Sequence, residues 1–252
     1  MREPITQFSL EAPAGSIEIT ARCQTAKAQS IILTNTPAFV EHLDISVNVP
    51  GGIGPVKCDI AYGGIWYCVV NLNENPHLFP NGLLDPNDAA RICRTGEMIK
   101  VACREQYPVQ HPTIDYPGCD ILVFREPSSS SKDGSNNRLK AKNAVVMSNN
   151  ELDWDRPETW TGMLDRSPCG TGTCAVMAVL HAREELGMGE SFVHESIIGS
   201  KFTGTIAGET EIAGKMAIVP RIEVSAFVTQ YSEVVVDLED PFPEGYRVAD
   251  IW

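Results

Sequence analysis

Leu-Asp-Arg-Ser-Pro-Cys-Gly-Thr-Gly-Thr-Cys-Ala, residues 164–175, sets a cysteine directly before a glycine-rich helix start. Ala175, Val176, Val179, Leu180 and Leu186 follow at helical spacing, so a helix is predicted to begin around residues 169–173 and to end at Gly187. The first N–H groups of a helix have no intrahelical acceptor, and the helix dipole adds positive potential at the same place. Two expectations follow. The position favours the thiolate form of Cys169. The N–H groups of Gly170, Thr171 and Gly172 can also hold a carboxylate without a cationic side chain, since glycine lets a ligand come close to the backbone.

Other readings of this segment are weaker. A phosphatase-like thiolate needs an arginine to close the loop, and residues 170–175 contain none. A nucleotide-binding loop of the Gly-Lys-Ser/Thr kind needs a lysine after Gly172, where Thr173 stands. Gly170-x-Gly172-x-x-Ala175 matches a dinucleotide fingerprint in form, but Asp165-Arg166-Ser167-Pro168 is no strand, so the required context is missing. What remains is a tight turn into a helix, with Cys169 either packing or reacting.

The rest of the composition narrows the setting. With 252 residues and 43% hydrophobic content, the chain can bury a core. It carries 20 basic and 33 acidic residues, a formal charge of −13, without a Lys/Arg-rich run, which argues against nucleic acid as a partner. A small anionic substrate would meet a negative field, so its site must supply local positive potential, as the helix start at residue 170 would. Residues 1–10 hold charged and polar side chains where a secretory peptide would be apolar, so a cytoplasmic protein that does not enter membranes is expected. The eight cysteines at positions 23, 58, 68, 93, 103, 119, 169 and 174 form neither a Cys-x-x-Cys pair nor a cluster with histidine along the chain, which argues against a zinc site. Cys93 and Cys103 are expected to be core residues.

Strand patterns fill the chain up to about residue 70. Ile17, Ile19, Ala21 and Cys23 alternate with polar residues after Pro13-Ala14-Gly15; Leu43, Ile45, Val47 and Val49 alternate before Pro50-Gly51-Gly52; and residues 65–70 form an apolar run. A helix is predicted over 85–106, with Asp85 as N-cap and Pro86 at the first position; its inner face would be Ala89, Ile92, Cys93, Gly96, Ile99 and Cys103. Residues 128–137 read as a flexible surface loop and a protease target. Strands are expected at 202–206, 222–228 and 234–238.

Asp165-Arg166-Ser167-Pro168-Cys169-Gly170-Thr171-Gly172-Thr173 resembles the second catalytic-cysteine motif of the proline racemase family, and residues 194–202, His-Glu-Ser-Ile-Ile-Gly-Ser-Lys-Phe, resemble its downstream partner. Glu3-Pro4-Ile5-Thr6, Glu11-Ala12-Pro13-Ala14-Gly15, Asp59-Ile60-Ala61-Tyr62-Gly63-Gly64 and Asp240-Pro241-Phe242 extend the resemblance over nearly the whole chain. The resemblance implies an α/β (α+β) fold of the diaminopimelate-epimerase kind: two pseudo-symmetric halves, each with strands around a central helix, and a proline-like substrate between the two helix N-termini. It implies that Cys169 is one member of an acid/base cysteine pair, that Gly170 and Thr171 donate backbone N–H groups to the substrate, and that Asp165 holds its amine. Neither pyridoxal phosphate nor a metal is implied, and a homodimer is left open. Asp165 has a plainer reading too, as a helix cap or a partner of Arg166. His194 reads as a hydrogen-bonded structural residue.

The family's first motif, Cys-Gly-His-Gly, does not occur in these 252 residues. The expected organisation is therefore an incomplete first half in residues 1–45, a second half carrying the Cys169 helix in 46–215, and strands returning toward the first half in 216–252. The expected activity is racemisation or epimerisation at the Cα of proline or hydroxyproline, with the chain alone unable to invert its substrate. The alternatives are trans-3-hydroxyproline dehydration, a branch with threonine in place of Cys169, and a non-catalytic truncated homologue. Diaminopimelate epimerase is disfavoured by the absence of its Glu-Arg-Gly motif. Residues 153–162, with Trp154 and Trp160, look like an insertion that could alter access to the site.

Overall fold

Alternating apolar positions in the first seventy residues become six strands in the computed structural model, which describes residues 2–12, 15–128, 138–243 and 245. These are β1 (Ile5–Ala12), β2 (Gly15–Gln24), β3 (Lys27–Thr34), β4 (Ala38–Val49), β5 (Gly54–Tyr62) and β6 (Trp66–Asn71). A first helix, α1 (Ala89–Gln106), precedes β7 (Ile121–Pro127), β8 (Arg138–Ser148) and β9 (Gly162–Leu164); a second, α2 (Gly170–Ala182), precedes β10 (Ser191–Glu195), β11 (Lys201–Ile212) and β12 (Lys215–Val224). The fold is a mixed α+β one dominated by its sheet. The expected loop at 128–137 lies, apart from Ser128, outside the described residues, as do Pro13 and Ala14 of the first turn.

The sheet closes on itself. Its order runs β12-β11-β10-β8-β7-β6-β5-β4, and β4 returns to β12 through Phe39↔Ala217 and Ala38↔Ile218, making a ring of eight strands. From β12 the hairpin strands β3, β2 and β1 continue outward in antiparallel order. The expected boundary at residues 45/46 falls inside β4, and β12 bonds strands on both sides of it.

Helix α2 packs against β4, β5, β6, β11 and β12, inside this ring. Its residues from Gly172 to Leu180 are all buried, as befits a helix that is apolar on every side. Because successive side chains of a strand point to opposite faces, β6 divides cleanly: Tyr67 and Val69 face α2, while Trp66, Cys68 and Val70 join the outer core layer. Helix α1 covers that outer layer with Ile92, Met98, Ile99, Ala102 and Cys103. Both faces of β6 are thus covered, which accounts for its continuous apolar run.

Three expectations need correction. Residues 85–88 are not yet α-helical: Asp85 caps a 3₁₀ turn at Pro86–Asp88 by accepting the Asn87 N–H at 2.9 Å, and α1 follows. Helix α2 ends at Ala182, not at Gly187. Glu184 takes a left-handed φ of 58°, and the N–H groups of Glu185 and Leu186 turn back to the Leu180 carbonyl, so buried Leu186 folds over the helix end without a glycine. The third concerns the last part of the chain. Strand β12 ends at Val224, where its pairing with Ile31 ends, and residues 234–238 form no strand; Leu238 is 88% exposed. Alternation gives a segment strand character, but a strand exists only where a neighbour accepts its hydrogen bonds. Among the described residues, no helix is long and apolar enough to cross a membrane.

Candidate active site

Pro168 ends the approach to α2, and Cys169 occupies the position just before its first helical residue with φ 62° and ψ 120°. Left-handed φ in a non-glycine residue costs on the order of 1–3 kcal/mol and tends to mark functional sites. A short relay fixes the turn: Asp165 Oδ1 accepts the Ser167 N–H at 2.8 Å, and Ser167 Oγ accepts the Cys169 N–H at 3.0 Å. Asp165 thus shapes the approach to α2 and does not cap it, and among the described residues no ion pair joins it to Arg166.

The first amide of α2 with a helical acceptor is that of Thr173, which donates to the Cys169 carbonyl at 2.9 Å. Those of Gly170, Thr171 and Gly172 come too early in the helix to find one. A β-carbon built on Gly170 would meet nothing within 4 Å, so open space adjoins this end of the helix. The structure therefore brings Cys169, Gly170 and Thr171 together at one mouth of the ring, with Asp165 four residues back on the same approach.

Tyr67 is the residue that sequence reasoning missed. Its hydroxyl lies 3.1 Å from Cys169 Sγ and 2.6 Å from Thr171 Oγ1. Burial, followed by the neighbouring Cys169, pushes the Tyr67 phenol well above the ordinary tyrosine value, so it stays an O–H donor. The phenol hydroxyl thus bridges the Cys169 sulfur and the Thr171 hydroxyl. The strand period could have put Tyr67 on an inward face, but nothing local marks which inward residue meets the cysteine. Tyr67→Phe is expected to slow any reaction at Cys169 about tenfold while the protein stays folded, the scale of one hydrogen bond to a charged group. A rate within twofold of the parent would remove Tyr67 from the site.

The glycines of Asp59-Ile60-Ala61-Tyr62-Gly63-Gly64 also gain a reason. A side chain on Gly63 would collide with Thr171 O and lie 2.5 Å from Ala175 N, so the turn between β5 and β6 supports the first turn of α2 by direct backbone contact.

His194 lies on β10 beneath this helix start, 0% exposed. Its Nδ1 is 3.0 Å from Thr173 Oγ1 and 3.3 Å from Asn143 Nδ2; Thr173 in turn donates to the Cys169 carbonyl at 2.7 Å, and Asn143 to the Pro168 carbonyl at 2.7 Å. Burial, aided by the Arg125 charge, pulls the imidazole down to about 3, so it is neutral and supports the turn. The sign for stability is direct. Between the unfolded value near 6.5 and the folded value near 3, the unfolded chain binds the extra proton, so stability falls as pH falls through that window. The loss is about 1.4 kcal/mol per pH unit. Urea unfolding of the parent and of His194→Gln at pH 7, 6, 5 and 4 checks this: the parent should lose more stability with acid than the variant, and parallel slopes would refute it.

Residues 153–162 pack on α1: Trp154 Nε1 donates to Glu105 at 3.1 Å, and Arg94 stacks 4.8 Å over the Trp160 ring.

Comparison with known proteins agrees with this picture. The proline racemase family matches residues 1–247. A proline racemase of Clostridioides difficile is 34% identical over 247 residues, 97% of this chain; the chain spans 66% of that protein's length. Two solved structures superpose with a TM-score of 0.78 over the whole chain. One is a probable proline racemase from Agrobacterium radiobacter with bound carbonate, at 34% identity and 67% of its length. The other is a hydroxyproline epimerase from Agrobacterium vitis with bound trans-4-hydroxy-L-proline, at 32% identity and 65% of its length. A match over almost every residue, on a fold with a cysteine poised at the start of its enclosed helix, places this chain in the proline racemase family.

Proposed function

We propose that this chain performs proton transfer at the Cα of proline or a hydroxyproline, with Cys169 as the acid/base. The N–H groups of Gly170 and Thr171 would grip the substrate carboxylate, and Asp165, through the oxygen not committed to Ser167, would hold the amine. In the forward step the Cα–H bond breaks, the proton passes to the Cys169 sulfur, and the electron pair moves into the carboxylate. Negative charge then grows on the carboxylate oxygens, where fixed amide donors stabilise it more than they stabilise the ground state. Tyr67 would hold the sulfur in place through its hydroxyl. No cofactor is needed for these steps. The observation that carries the reading is the Cys169 thiol, 3.1 Å from Tyr67 Oη, beside three helix amides without helical partners and open space at Gly170.

A cysteine at position 169 favours racemase or epimerase chemistry over dehydration of trans-3-hydroxyproline. These 252 residues contain no Cys-Gly-His, so one face of the substrate lacks a matching thiol within this sequence. The expected result is hydrogen exchange without inversion. Incubating L-proline, D-proline and trans-4-hydroxy-L-proline with the protein in D₂O, and following the Cα proton by NMR beside chiral chromatography, gives the test. Deuterium should enter one enantiomer while its chirality is kept. Rapid inversion would overturn the single-face reading, and no exchange in any substrate would overturn the catalytic one.

A further inference from the structure

Cysteines that are scattered along the chain are not scattered in space. Ile60 of β5 pairs with Cys68 of β6, so Cys58, two residues before Ile60, is a diagonal neighbour of Cys68 on the same face of the sheet. Cys103 of α1 comes down onto this pair, and the three sulfurs all lie within 4.8 Å of one another. Cys119, just before β7, is buried in the same core layer, but its thiol donates to the Ile121 carbonyl at 3.7 Å and stays outside the group. All four are buried, carry free thiols, and belong to the outer core layer under α1, whereas Cys169 belongs with the layer around α2.

Ordinary packing does not call for this arrangement. A core position needs a methyl-sized group, and Val or Ala would fill it; three elements instead converge sulfur on one point. An equilateral triangle of sulfurs 4.8 Å apart has its centre about 2.8 Å from each, and a zinc–thiolate bond is about 2.3 Å. Closing that gap requires each sulfur to move by only about 0.5 Å, within the reach of a cysteine χ1 adjustment.

We propose that Cys58, Cys68 and Cys103 form a buried structural site for a thiophilic closed-shell cation of the Zn²⁺ class. Soft thiolate sets select such ions, and a set buried in the core away from Cys169 stabilises a fold and does not perform catalysis. Binding to the three thiols releases three protons and leaves one net negative charge. The surroundings can offset that charge. The Arg104 guanidinium follows Cys103 directly on α1, and its Nε donates to the Cys119 carbonyl at 3.0 Å. The spacing in sequence, with 9 and 34 residues between the three cysteines, has no recognisable ligand pattern, and only the packing of α1 on the sheet assembles the group.

The test uses the full chain, produced in zinc-supplemented medium and desalted, with bound zinc measured by plasma mass spectrometry. Cd²⁺ added to chelator-treated protein serves as an optical probe of thiolate ligation. About one zinc per chain, a cadmium–thiolate absorption band that saturates at about one equivalent, and a Tm several degrees above that of chelator-treated protein are expected. Cys103→Ser should abolish the band, and Cys93→Ser, on the same helix but outside the group, should leave it unchanged. Should Cys103→Ser not fold, Cys58→Ala serves in its place. Zinc below about 0.1 equivalent together with no cadmium band in the parent overturns the site; so does a full band in folded Cys103→Ser.

Discussion

Cys169→Ser is expected to slow hydrogen exchange at the substrate Cα by about 10²–10⁴-fold, the usual contribution of a positioned acid/base group. Serine keeps nearly the same size and the same backbone demand at φ 62°, and the relay from Asp165 through Ser167 to the backbone N–H of residue 169 does not involve the side chain. What changes is the acidity of the group: an alcohol gives up its proton far less readily than a thiol, so the C–H bond meets a much poorer base. Folding should be unaffected to within about 1 kcal/mol, as expected for a partly exposed substitution of this kind. The measurement is the NMR exchange rate with each substrate, beside the thermal midpoint of both proteins. Exchange within tenfold of the parent, in a folded variant, would mean that the base is elsewhere.

Gly63→Ala should produce the largest loss of stability. The new methyl group would collide with Thr171 O and lie 2.5 Å from Ala175 N, and both are backbone atoms of the enclosed helix, which no side-chain rotation can move. Helix α2 is held on all sides by the ring of strands, so it has little room to retreat. Overpacking of this kind costs about 3 kcal/mol or more, which for a chain of this size lowers Tm by about 6–12 °C. Gly170→Ala is the contrasting case, since its methyl meets nothing within 4 Å and lies in a helical first turn. That variant should keep its Tm while exchange slows, because the methyl occupies the space from which a carboxylate would approach. Equal Tm values for Gly63→Ala and the parent would show that the helix start is less tightly held than the geometry implies.

The first seventy residues show how far pattern reading reaches. Period-two alternation at 17–23 and 43–49 yielded strands because each face of the sheet meets a different environment, and the apolar run at 65–70 is a strand covered on both sides. Asp85-Pro86 marked the entry to α1 because a side-chain acceptor and a fixed φ act locally. Where a signal depends on a partner far along the chain, it failed. Residues 234–238 have the alternation of a strand, yet they pair with nothing among the described residues. Helix α2 stops at residue 182 through a left-handed glutamate, a conformation that no residue type in the sequence advertises.

The sequence by itself determined the helix start at Cys169, the glycines that leave its amides accessible, and the family to which the chain belongs, because a capping turn and a linear motif are written in neighbouring residues. Only the tertiary structure decided that Tyr67 meets the Cys169 sulfur, that Gly63 supports the first turn of α2, and that Cys58, Cys68 and Cys103 converge under α1. Those contacts join residues 10 to 112 positions apart, and their geometry comes from closing an eight-stranded ring around one helix and packing another outside it, a register that no local segment encodes.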